Sequence, residues 1–277
     1  MSRRPTGERR RARARHLSGL ALLVIGLLVP VAPLLIAAMS GQWRYPALVP
    51  QSFSARGFRL LLDPKSEVLR GLATSAGIAA AVALLASLVG LSAGRALGLY
   101  SFRGRRAVQL LFLAPVIVPG LAVALGVQVF FIRYHLADTI PGVILVQLLP
   151  TIPYVTLAMG AAFANFDTAY EDQARVLGAG PVRTFWSVTL PGVRPGLAVA
   201  AYFAFLISWS EYILTLLVGG GTVKTLPLLL LAYIGGADLN QAAALALVFV
   251  LPPILLLIPM TKYLTGNQRA AIGLGRL

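Results

Sequence analysis

The chain has 277 residues, of which 58% are apolar and 12% charged, against soluble averages of about half and about a quarter, so water is excluded as its main solvent. It contains no cysteine, which excludes disulfides, thiolate metal sites and a cysteine nucleophile. The net charge is +15, but Arg3, Arg4, Arg9, Arg10, Arg11, Arg13 and Arg15 all stand directly before an apolar run, where membrane orientation explains them and nucleic-acid binding does not.

Apolar stretches long enough to cross a bilayer run from Leu17 to Met39, Ala73 to Leu97, Val108 to Ile132, Ile140 to Phe163, Gly196 to Val218 and Gln241 to Tyr263. None alternates with the period of an outer-membrane strand, so the expected fold is an all-α membrane protein of six transmembrane helices. The first stretch follows an Arg-rich start and ends on small residues, as a signal peptide does. Its apolar run exceeds a signal core, and an uncleaved span is expected.

Seven basic residues, Arg44, Arg56, Arg59, Lys65, Arg70, Arg133 and Lys224, fall on one side of this layout, and the other 17 of the 24 on the opposite side. The positive-inside rule then puts both termini in the cytosol and makes Ser40 to Arg70 a long external loop. The expected organisation is a basic cytosolic tail over 1–16, a six-helix domain over 17–265 and a cytosolic tail over 266–277. Pro30, Pro33, Pro115, Pro119, Pro150, Pro153, Pro252 and Pro253 lie inside spans, where proline kinks or breaks a helix.

Two motif matches are declined. Gly90-Leu91-Ser92-Ala93-Gly94 fits a nucleophile elbow, but it lies mid-span and the two histidines, His16 and His135, are in distant loops; Gly90 and Gly94 read as a small-residue helix contact. Gly219 to Thr225 imitates a phosphate-binding loop, but Val223 occupies the place before Lys224 where glycine is required, so a flexible external turn is expected. No cofactor or metal site is expected, and nothing in the chain suggests an enzyme.

Of the nine acidic residues, Glu211 alone falls within an expected span. An ionisable group at that depth costs several kcal/mol unless it meets water or a partner. With Ser208, Trp209, Ser210 and Tyr212 it offers hydrogen bonds and aromatic faces, either for a solute path or gate or for a bond to the next helix.

The segment over 167–194 is too long for a simple turn and too patterned for disorder. It reads as two short helices: Thr168 and Glu171 form a capping box, Gly178 and Gly180 end the first helix, Pro181 begins the second and Pro191 stops it. Ala174 and Gly178 present a small face to a partner, beside charges from Asp172, Arg175 and Arg183. A hairpin lying against the membrane is the alternative.

Glu171-Asp172-Gln173-Ala174-Arg175-Val176-Leu177-Gly178, followed by Val188-Thr189-Leu190-Pro191, resembles the EAA loop of binding-protein-dependent ABC importer permeases, the MetI-like fold. The resemblance extends from about Leu72 to Tyr263, with Asp172 and Gln173 departing from the usual Glu and Ala. It implies a plasma-membrane permease subunit whose loop, through Glu171, Asp172, Ala174, Arg175, Gly178, Leu190 and Pro191, couples to a cytosolic ABC ATPase subunit. It also implies a second permease subunit, an extracytoplasmic solute-binding protein and a surround of lipid. Ser208-Trp209-Ser210-Glu211-Tyr212 with Thr225-Leu226-Pro227 resembles the polyamine, thiamine, phosphonate and ferric-ion group, which implies a polyamine or similar cation as solute, with a sugar as the alternative. A secondary transporter or channel would show intramembrane relays or repeats that the chain lacks.

Overall fold

The computed structural model describes residues 26, 29, 31–43, 46–63 and 66–273. The basic tail over 1–16 and much of the first expected span lie outside the described residues. The described elements are helices, apart from an isolated antiparallel bridge between Ser40 and Phe53. They fall into two compact units, one formed by the chain up to Ser66 with Leu230–Phe249, the other by Glu67–Leu229 with the chain from Val250 onward.

In the smaller unit, residues 31–38 form α1 and Arg56–Leu62 form α2. The segment expected as an external loop is therefore partly helical, and its end belongs to the next helix. The Asn240 amide donates to the carbonyls of Ala38 at 2.8 Å and Ser40 at 2.6 Å, satisfying acceptors that the end of α1 leaves open. Arg56 pairs with Asp238 at 2.5 Å, and Ala38 packs on Ala243 and Ala244.

The larger unit contains α3 (Glu67–Leu99), α4 (Arg105–Ile117), α5 (Gly120–Arg133), α6 (Ile140–Ala164), α7 (Ala169–Val176), α8 (Pro181–Thr184), a π turn (Phe185–Thr189), α9 (Leu190–Ser210) and α10 (Ile213–Gly219). Two further helices, α11 (Leu226–Gly235) and α12 (Leu239–Gly273), follow. Among the described residues four helices are long and apolar enough to cross a membrane, Glu67–Leu99, Ile140–Ala164, Pro181–Ser210 and Leu239–Thr261, and a fifth if α4 and α5 count as one bent span.

The centre of this unit is a three-helix contact of α3, α6 and α9. Gly90, Gly94 and Gly98 recur every fourth residue and so face one way. A Cβ on Gly94 would stand 2.9 Å from the Gly160 backbone nitrogen, and one on Gly98 2.7 Å from the Gly160 carbonyl oxygen. Gly90 and Gly94 are thus a close helix contact, as expected, and Gly98 extends it by one turn.

The prolines divide into two kinds. Pro119 stands at the break between α4 and α5, which meet at 89°. Pro150 and Pro153 leave α6 unbroken, as Pro252 and Pro253 do α12. Packing of α3 and α9 against α6 shelters its freed backbone groups, so α6 continues as one helix where an isolated one would break.

Candidate functional site

The segment over 167–194 leaves the bundle after α6 as a hairpin. Helix α7 ends on a Schellman turn: Gly178 has φ +85°, its N–H donates to the Arg175 carbonyl, and Ala179 N–H donates to the Ala174 carbonyl, both at 2.9 Å. That conformation is inexpensive for glycine alone. Pro181 starts α8, as expected of a residue with preset φ and no N–H to satisfy.

Two expectations for the hairpin are corrected. Thr168 makes no side-chain cap; instead Asp167 Oδ1 accepts the Ala169 N–H at 2.9 Å, and Glu171 turns inward and forms no capping box. Pro191 does not stop a helix. The π turn, in which Leu190 N–H reaches back to the Phe185 carbonyl, makes room for the proline ring, and Pro181–Ser210 runs on as one span.

Glu171 is 2% exposed. Its Oε2 accepts from Arg95 of α3 at 2.8 Å and from Arg175 at 3.2 Å, and its Oε1 accepts from the buried Thr189 hydroxyl of the π turn at 2.5 Å. Three segments therefore meet at one carboxylate. Asp172, on the exposed side of α7, pairs with Arg175 at 2.6 Å. Ala174 and Leu190 are half-buried, while Gly178 and Pro191 are exposed.

The tip of the hairpin is apolar and open. Val176, Leu177 and Val182 are 88%, 87% and 71% exposed, and Tyr170 and Trp186 of the same hairpin are exposed as well. Beneath it lies a cavity of about 770 Å³ lined by Ala162, Phe166, Asp167, Tyr170, Gly192 and Gly196.

The second candidate region is a break in the helix. Ser210 ends α9, Glu211 is extended (φ −74°, ψ 123°) and Ile213 begins α10, so the expected continuous span from Gly196 to Val218 is instead two helices. Glu211 Oε1 accepts the Leu214 N–H at 2.8 Å, satisfying a donor that the new helix start leaves open. Ser208 and Trp209 are buried; Tyr212 is exposed and Glu211 half-buried.

One residue here was not anticipated from the sequence. Gln147, in the middle of α6 and 1% exposed, accepts a hydrogen bond from the Ser208 hydroxyl and donates to the Thr215 hydroxyl at 2.9 Å. It ties both sides of the break to α6. A lone amide in a long apolar stretch was the available signal. Trp209 stacks on Phe205 with ring centroids 5.6 Å apart.

The glycine turn after α10 forms as expected, with Gly220 and Gly221 both at positive φ and the Thr222 hydroxyl donating to the Asp138 carbonyl at 2.8 Å. Among the described residues no group of three His, Asp or Glu comes together to hold a metal ion.

Spanning helices around a close-packed glycine seam, with an apolar hairpin protruding from one end, define a polytopic membrane subunit built to work against another protein. The chain belongs to the family of binding-protein-dependent transport system inner membrane components, whose model matches residues 86–265. It is accordingly a multi-pass inner-membrane protein, the permease subunit of an ABC importer, a transport component and not an enzyme.

The chain is 30% identical over 237 residues to the molybdate/tungstate transport system permease protein WtpB of Pyrococcus furiosus, covering 85% of this chain and 93% of that one. It is 29% identical over 245 residues to the molybdenum transport system permease protein ModB of Mycobacterium tuberculosis, covering 82% and 87%. Among solved structures, a bacterial ABC transporter involved in the import of the acidic polysaccharide alginate superposes with a TM-score of 0.65 at 18% identity, covering 96% of this chain and 100% of that one. That likeness establishes the fold. Neither of these two sequence relatives is named for a polyamine, thiamine or ferric ion. Phosphonate, the remaining member of the group expected from the sequence, is in the name of a further relative, the putative 2-aminoethylphosphonate transport system permease protein PhnV of Salmonella typhimurium. It is 24% identical over 243 residues, covering 87% of this chain and 90% of that one.

Proposed function

We propose that this chain lines half of a translocation path for a tetrahedral oxyanion of the molybdate or tungstate kind, released by an extracytoplasmic binding protein. A second permease subunit supplies the other half, and the hairpin over 167–194 docks on a cytosolic ABC ATPase. The chain crosses the membrane six times over 17–265 with both tails in the cytosol.

The observation that carries the docking reading is the exposure of Val176, Leu177 and Val182 at the hairpin tip. Apolar side chains this open on a surface outside the bundle mark a protein interface. Of Glu171, Asp172, Ala174, Arg175, Gly178, Leu190 and Pro191, Gly178 and Pro191 shape the segment, and Asp172 and Arg175 stand on the open side that meets the ATPase. Half-buried Ala174 and Leu190 back it, and the buried Glu171 anchors it to the bundle without touching the partner.

For the solute, one relative named for molybdate and tungstate and another named for molybdenum support an oxyanion. The expectation of a cation came from the resemblance of the stretch from Ser208 to Tyr212, and the Glu211 carboxylate in that stretch is engaged by the Leu214 N–H. Tyr212 is the path-lining candidate at this level, while Ser208, Trp209 and Glu211 hold the break that presents it.

The chain has no native cysteine, so Leu177→Cys carries a single maleimide crosslinker without background. Joined to its ATPase in membranes, it is expected to form a covalent adduct; an adduct no stronger than that of Gly126→Cys, which lies outside the hairpin, overturns the docking reading. Titration of the binding protein with molybdate, tungstate and spermidine tests the solute. Binding of spermidine and not of the oxyanions overturns that part.

A further inference from the structure

We infer that Arg95 and Glu171 form a positioning pair that carries movement of the docking hairpin into the membrane bundle; this rests on the docking reading above. The pair has three properties that a passive surface ion pair lacks. Its carboxylate is buried, with the Glu171 side chain 3% exposed, and the Arg95 side chain is half-buried at 26%. It joins residues 76 apart in sequence, so it links separate elements and does not merely stabilise one helix. And the same carboxylate is held from its other oxygen by Thr189, in the π turn that leads directly into α9.

A force on the tip of α7 therefore has a rigid route into two spanning helices. Through Arg95 it reaches α3 next to Gly94 and within one turn of Gly98, both of which contact α6. Through Thr189 it reaches the start of α9, whose far end is the break at Glu211. Arg175 also touches the carboxylate, but it is half exposed and shared with Asp172, which places it on the side open to a partner. The two elements resist separation because parting them leaves the buried Glu171 carboxylate without its Arg95 partner in a desolvated site. Such a pair makes hairpin and bundle move together.

The test uses the complete importer in proteoliposomes, with this chain, its ATPase, its second permease subunit and loaded binding protein. ATP hydrolysis and solute uptake are measured in the same vesicles, giving solute moved per ATP. Four variants are compared: Arg95→Ala, Glu171→Gln, the exchanged pair Arg95→Glu with Glu171→Arg, and the apolar pair Arg95→Met with Glu171→Met. The apolar pair removes the link without leaving a buried charge, so it keeps the bundle folded even if a single variant does not.

The expected result is that the apolar pair co-purifies with the ATPase and hydrolyses ATP, while solute moved per ATP falls about tenfold. The exchanged pair recovers part of the loss. An unchanged ratio in Arg95→Ala and in the apolar pair overturns the inference, as does loss of ATPase from the apolar pair, which assigns the residues to docking alone. Failure of the underlying docking reading is seen separately, as absence of the ATPase from the unaltered complex.

Discussion

The Glu211 carboxylate accepts a hydrogen bond from the backbone N–H of Leu214 at 2.8 Å. The one acidic residue expected within a span is thus bound to its own chain, at the point where a helix ends and another begins. Removing a side-chain cap of this kind costs about 1 kcal/mol. Glu211→Gln keeps an acceptor and is expected to transport within about twofold of the unaltered protein. Glu211→Ala is expected to lower stability by about 1 kcal/mol, read as thermal unfolding in detergent. A loss of transport as large in Glu211→Gln as in Glu211→Ala assigns the charge itself to the solute path.

Gln147 holds Ser208 and Thr215 across the break. Replacing it by leucine leaves Ser208 to find another acceptor in a buried site, at a cost of about 1 kcal/mol. Adding Ser208→Ala to Gln147→Leu is expected to recover part of that loss in the same unfolding assay. Additive losses would show that the two side chains do not act together.

The α3–α6 seam has no room for a side chain at Gly94, whose Cβ would stand 2.9 Å from the Gly160 backbone. Gly94→Leu is expected to abolish accumulation of folded protein in the membrane. Gly77→Ala, at a position with nothing within 4 Å, is expected to accumulate normally, and immunoblots of isolated membranes compare the two. Normal accumulation of Gly94→Leu would mean that the helices pack otherwise.

Gly178 serves the hairpin by its backbone, at φ +85°. Gly178→Ala strains that turn by about 1 kcal/mol, and Gly178→Arg adds bulk and charge beside the docking tip. Gly178→Arg is expected to abolish solute-coupled ATP hydrolysis while membrane insertion persists. Full coupled hydrolysis in that variant would remove the segment from the docking surface.

What the sequence made legible was local. Gly178 and Pro181 announce a helix end and a helix start through their own backbone chemistry, and Gly90 with Gly94 announces a seam by spacing alone. The turn between the hairpin's two helices is therefore legible in the sequence, while both of its outer ends, at Thr168 and at Pro191, differ from the expectation. What stayed hidden depends on partners far along the chain. Thr168 and Glu171 carry the spacing of a capping box, but Arg95 and Thr189 offer Glu171 a buried charge and a hydroxyl, which outweigh one exposed backbone amide. Pro191 suits a helix start as well as a helix stop, and the π turn before it decides for the start. The break at Glu211 left no proline or glycine to mark it. Its only trace was a polar run in an apolar stretch, and Gln147, its distant partner, carries no charge to draw the eye.

The account is tested most directly by uptake of labelled molybdate into proteoliposomes holding this chain, its second permease subunit and its ATPase, with binding protein outside. The expected result is accumulation that requires both ATP and the binding protein and that falls at least about tenfold when Leu177→Glu places a charge on the apolar hairpin tip. Accumulation by this chain alone without ATP, or accumulation of spermidine in place of molybdate, would contradict it.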